Sequence, residues 1–79
     1  MRVEKEISIQ QINMDHHPIN PQTLSLVDYL RSGGEIPAIK VQQIDNGRFR
    51  IKDGRHRITA FKLLGKQKIK AKYYERNSE

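Results

Sequence analysis

Ten consecutive residues, Ile51-Lys52-Asp53-Gly54-Arg55-His56-Arg57-Ile58-Thr59-Ala60, hold the densest potential for chemistry in this 79-residue chain. Apolar alternation stops at Asp53, glycine frees the backbone to turn, and helical spacing begins at once. The first amides of such a helix lack intrahelical partners, and its dipole adds positive potential at the same point. Arg55, His56 and Arg57 add three side-chain donors there. Backbone N–H groups, a helix start and a guanidinium fork together make a phosphate cradle. Glycine suits it because a Cβ would hold the anion away from the backbone. The same letters also fit a plain turn, with Asp53 as N-cap and solvated arginines. Yet basic residues in a first turn oppose the dipole at about 0.3–1 kcal/mol each, and a bound anion removes that cost.

A second set of cations recurs with the period of a strand. Arg48, Arg50 and Lys52 share one face of their segment, as Lys68, Lys70 and Lys72 share one of theirs. If both strands lie in one sheet, these six form a patch suited to nucleic acid, unless they are merely the wet side of half-buried strands. The whole chain carries a formal charge of +6. Residues 1–39 hold three basic and five acidic side chains, whereas residues 40–79 hold twelve basic and four acidic. The positive potential therefore belongs to the second half, which favours an anionic partner. His16 and His17 with Asp15 are too few and too divergent for a metal site, and they read as a solvated loop.

The elements that must position these groups are legible. Ile7 and Ile9 alternate with polar neighbours as a strand with one buried face, and the pattern breaks over residues 13–18. Asn20-Pro21 opens a helix striped by Leu24, Val27 and Leu30, with Leu26 beside them, and Gly33-Gly34 stops it. Residues 36–44 predict a strand. Asp45-Asn46-Gly47 predicts a type I′ hairpin, and Phe49 and Ile51 point inward on the return. The second helix buries Ile58, Phe61 and Leu64, flanked by Ala60 and Leu63, and ends at Gly65. Ile69, Ala71 and Tyr73 then alternate with lysines in a last strand. The fold class is α+β, one domain over residues 1–79, with a small mixed sheet covered by two helices.

Composition removes whole classes of function. With no cysteine, disulfide scaffolds, thiolate metal sites and cysteine nucleophiles are excluded. Apolar runs of two or three residues leave no membrane span, so the expected compartment is the cytoplasm. No paired general acid and base is evident.

With these elements in order, the chain resembles the ParB/sulfiredoxin superfamily over nearly all its length. Ser25-Leu26-Val27-Asp28-Tyr29-Leu30-Arg31 is similar to the sulfiredoxin helix S-L-V-D-x-I-R, and Glu35-Ile36-Pro37-Ala38-Ile39-Lys40-Val41 resembles the proline-marked strand. Residues 53–57 stand where sulfiredoxins have G-C-H-R and ParB proteins G-E-R-R. The resemblance implies a nucleotide pocket of the ATP or CTP class, with magnesium held mainly by phosphates and Asp53 available as a ligand. It implies that Gly54 and the following amides cradle phosphate, that Arg57 clamps it, that His56 donates a hydrogen bond and that Ser25 touches the ligand. Gln22 and Tyr29 stand where sulfiredoxin has lysine and threonine, on the adenosine side. Arg55 replaces the catalytic cysteine, so this chain is not a working sulfiredoxin. NTPase, kinase-like and nuclease activities all occur on related turns, and the resemblance does not choose among them. The chain corresponds to the amino-terminal module of ParB proteins. The alternative reading is a DNA-binding accessory or nuclease-like module of a partition-type system, working through the basic strand faces. A second copy could pair along an edge strand of so small a sheet.

Overall fold

The computed structural model describes residues 1–15, 17–45 and 47–75. Strand β1 (Arg2–Ser8) leads through a three-residue 3₁₀ turn into the two-residue strand β2 (Ile12–Asn13), and helix α1 (Pro21–Arg31) follows. Strands β3 (Ile39–Asp45) and β4 (Arg48–Asp53) form the hairpin. Helix α2 (Arg55–Leu63) and strand β5 (Lys68–Tyr74) complete the chain. The sheet order is β1-β5-β3-β4-β2. β1 runs antiparallel to β5 and β3 antiparallel to β4, while β3–β5 and β2–β4 are parallel. The expected mixed sheet with two helices is the fold observed.

The core lies on one side of this sheet. Ile7, Ile39, Val41, Phe49, Ile51, Ile69, Ala71 and Tyr73 are buried there, and Ile58 of α2 closes over them. Phe49 and Tyr73 meet edge to face with ring centroids 4.8 Å apart, joining β4 to β5. α1 packs against α2. Both helices therefore serve one face, and the other alternate residues of every strand face away from them.

Several local expectations need correction. The first strand ends at Ser8, so Ile9 is buried from a 3₁₀ turn, and the break contains the short strand β2. β3 begins at Ile39, three residues later than the apolar pattern suggested. Pro37 has no N–H for a ladder, and the carbonyls of Pro37 and Ala38 accept from Arg57. On α1, Leu24 is 53% exposed while Thr23 is completely buried. Both the backbone N–H and the hydroxyl of Thr23 donate to Asn20 Oδ1, which makes its burial affordable. Leu63 likewise faces out, 46% exposed. The hairpin is present and Gly47 has φ +84°, but Asn46, on which the turn type depends, lies outside the described residues.

Candidate functional site

The strand-to-helix turn forms as the residue types require, for a reason the sequence did not reveal. Gly54 has φ +124°, a region closed to side chains. A Cβ built there would stand 2.5 Å from Cγ2 of the fully buried Ile39. Glycine is needed here for the turn and for the close contact with Ile39. Asp53 closes β4 and does not cap the helix. Gly54 is the N-cap, no side chain caps it, and the first turn of α2 has no acidic residue. The opening amides of α2 thus keep their positive potential.

A cleft of about 900 Å³ opens in front of this helix start. All eight residues singled out for the pocket line it: Asp53, Gly54, Arg55, His56 and Arg57 from the turn, and Gln22, Ser25 and Tyr29 from α1. The α1 helix brings its three across because positions 22, 25 and 29 lie on one helical face. His17, Pro21, Leu26, Ile36, Pro37 and Lys52 complete the lining and were not anticipated. Helical spacing alone could have found Pro21 and Leu26, four positions from Ser25 and Gln22, but not His17, Ile36 or Pro37, whose loops approach only in the folded chain.

The three basic side chains of the turn have different employments. Arg57 does not offer its fork: Nη1 donates to the carbonyls of Pro37 at 3.2 Å and Ala38 at 3.1 Å. Its Nη2 donates to Asp53 Oδ2 at 3.0 Å, an ion pair on the helix surface. Arg57 is therefore chiefly a strut tying the approach to β3 onto the turn. The Arg55 carbonyl accepts from the Thr59 hydroxyl at 2.8 Å, while its guanidinium makes no hydrogen bond or ion pair among the described residues. It borders both the cleft and a neighbouring cavity of about 500 Å³ that also contains Asp15 and Arg50.

His56 is held from behind. Its Nδ1 lies 3.3 Å from Thr23 Oγ1 and 3.1 Å from Nε2 of His17, and the two rings meet edge-on. Thr23 has one hydroxyl proton and gives it to Asn20 Oδ1. With that proton committed, the Thr23 oxygen is available to accept from an Nδ1–H of His56, while the His17 contact suits either tautomer. His17 thus belongs to the site and not to a solvated loop. His16 lies outside the described residues.

The six strand cations lie elsewhere. Arg48, Arg50 and Lys52 on β4 and Lys68, Lys70 and Lys72 on β5 occupy the helix-free face, and of these only Lys52 also borders the cleft.

The family model of the ParB N-terminal domain matches residues 2–79. Among solved structures, sulfiredoxin from Arabidopsis thaliana aligns with a TM-score of 0.79 at 23% identity, covering 94% of this chain and 86% of that one. A free serine kinase in complex with AMP aligns at 0.78 and 13% identity, over 96% of this chain and 32% of the kinase. A Pnob8-like ParB-N domain aligns at 0.72 and 22% identity, over 99% of this chain and 31% of that one. The chain spans most of the sulfiredoxin but about a third of the other two. No curated protein matches the sequence significantly. No helix among the described residues is long and apolar enough to cross a membrane.

Proposed function

This chain belongs to the ParB N-terminal domain family, and on that footing we propose that it binds a nucleoside triphosphate, of the ATP or CTP class, in the cleft before α2. The opening amides of α2 receive the phosphates, and Arg55 supplies the guanidinium clamp. Arg57 and His56 hold the turn in shape and border the phosphates. Ser25 reaches the ligand from α1, and Gln22 and Tyr29 face the nucleoside. One observation carries this reading: residues 32 positions apart in sequence, from Gln22 to Gly54, meet around an uncapped helix start. The AMP in the related serine kinase supports the ligand class. The donor set suits polyphosphate because it is cationic and rich in N–H groups. Magnesium would rest mainly on the phosphates, since among the described residues Asp53 is the single carboxylate on the cleft and already faces Arg57.

Titration calorimetry against ATP, CTP and GTP, with and without magnesium, tests the reading. One triphosphate should bind in the micromolar range, and Arg55→Ala should weaken it at least tenfold, the scale of about 1.5 kcal/mol for a charge-assisted bond. Absence of binding to all three at millimolar ligand, or an Arg55→Ala variant with wild-type affinity, would overturn it.

A further inference from the structure

The helix-free face of the sheet is a second, cationic surface, and we propose that its occupant is double-helical nucleic acid gripped through the phosphate backbone. The face assembles from strand parity. Lys40 of β3 stands directly abreast of Lys72 on β5 in the parallel register, and Gln42 stands abreast of Arg50 on β4. Two register shifts interrupt the β3–β4 ladder and set Lys40 abreast of Asp53 and Asp45 abreast of Arg48, but exposed residues alternate with buried ones along all three strands and so share one side. That side carries Lys40, Arg48, Arg50, Lys52, Lys68, Lys70 and Lys72, all exposed but for the half-buried Lys72. Arg2 adds an eighth cation from β1.

Internal neutralisation is partial: Asp45 stands abreast of Arg48 and Asp53 abreast of Lys40, although Asp53 is paired with Arg57. Glu4 and Glu6 of β1 stand abreast of Lys72 and Lys70, and the ion pair of Glu4 with Lys72 is long, at 4.0 Å. Like charges abreast on neighbouring strands repel across about 4.8 Å. A hollow of about 610 Å³ lies over this crowding, bordered by Arg2, Lys40, Lys52, Lys72 and Tyr74. An anion seated there would relieve the repulsion.

The extent of the pad argues for a polymer. From Lys68 to Lys72, and from Arg48 to Lys52, the cations run about 13 Å along each strand, in rows about 10 Å apart with Lys40 between them. A nucleoside triphosphate covers a corner of that area. A duplex carries one charge per about 1.7 Å of axis, counting both strands, and would meet several cations at once. Single strands need a series of aromatic platforms, and protein partners need buried apolar anchors. Tyr74, at the margin, is the exposed aromatic of this face. Lysine and arginine at every second residue grip phosphates without reading bases.

Fluorescence anisotropy of the 79-residue chain with two unrelated 20-base-pair DNA duplexes, from 50 to 200 mM salt, tests the proposal. About five phosphate contacts predict a log–log salt slope near −4.5, the same for both sequences. Lys40→Glu with Lys70→Glu should weaken binding at least tenfold at 100 mM salt and flatten the slope by about 1.8. Should reversal disturb folding, judged by circular dichroism, Lys40→Gln with Lys70→Gln must show the same direction. A slope shallower than about −2, duplex affinity unchanged by both double variants, or equal binding of polyglutamate or of a single strand would each overturn it. Arg55→Ala, which targets the nucleotide cleft, should leave the slope unchanged, so the two sites fail or stand separately.

Discussion

The cleft and the bare sheet face reach positive potential by opposite means. At the cleft, one glycine and one helix start orient a few backbone dipoles, and the side chains behind them are locked: Arg57 by three bonds, His56 by Thr23 and His17. On the sheet face, charge comes from repetition, and most of the lysines and arginines stand exposed in water. A locked site should be sensitive to which residue changes, and a repeated one to how many change.

The largest effect expected from this contrast is at Gly54. Gly54→Ala must hold an L residue at φ +124° and push Cβ into Ile39, where overpacking alone costs about 1–3 kcal/mol. Gly65 also has a positive φ, +73°, but nothing lies within 4 Å of a Cβ there. Gly65→Ala should lose only the conformational term, about 1–2 kcal/mol. Thermal denaturation should therefore place Gly54→Ala lower in Tm than Gly65→Ala by several degrees, at about 4–8 °C per kcal/mol for a domain this small. Equal Tm values would show that Ile39 yields freely, and the rigid-turn half of the comparison would go.

A middle-sized effect is expected one layer behind the cleft. Asn20 caps α1 through Thr23, and its Oδ1 also takes the hydroxyl proton, which leaves the Thr23 oxygen available to accept at His56. Asn20→Ala should cost about 1 kcal/mol of stability as a lost cap. It should also free the Thr23 hydroxyl to donate to His56 Nδ1, moving the ring proton to Nε2. Nitrogen-15 NMR of the imidazole reads the tautomer directly. An unchanged ring spectrum in Asn20→Ala would mean that His17, not the Asn20–Thr23 pair, decides the proton's position.

These cases also mark what the linear chain discloses. Period and punctuation made every strand but β2, both helices and the glycine turn readable, whereas Ser25 and Tyr29 were marked for the pocket by the family resemblance, and the fold brings both to the cleft. Parity likewise placed the lysines of β5 together, though not their alignment with Lys40, which depends on β3 lying between β4 and β5. The hidden parts rest on polar groups satisfied inside the fold. Thr23 was not among the residues picked for the core, yet it is buried with its hydroxyl donating to Asn20, and Arg57, a ligand clamp by resemblance, donates to the carbonyls of Pro37 and Ala38. Hydrophobic periodicity carries no signal for such exchanges, because they depend on which backbone groups tertiary contact leaves unpaired.

The smallest effect sharpens the other half of the contrast. Lys70 is exposed, stands abreast of Glu6 and has no ion pair within 4.0 Å among the described residues. Lys70→Gln should change stability by less than about 0.5 kcal/mol in either direction, the range of surface substitutions. Removing one cation from a crowded face trades a weak cross-strand attraction to Glu6 for relief from Lys68 and Lys72, and both terms are screened by salt. Chemical denaturation at 20 mM and 500 mM salt separates them. If Lys70→Gln is stabilising at low salt and neutral at high salt, repulsion within the pad outweighs the Glu6 contact, as an open anion site requires. Destabilisation that vanishes with salt would instead make Glu6 the real partner, and the β5 row would then be spoken for by β1.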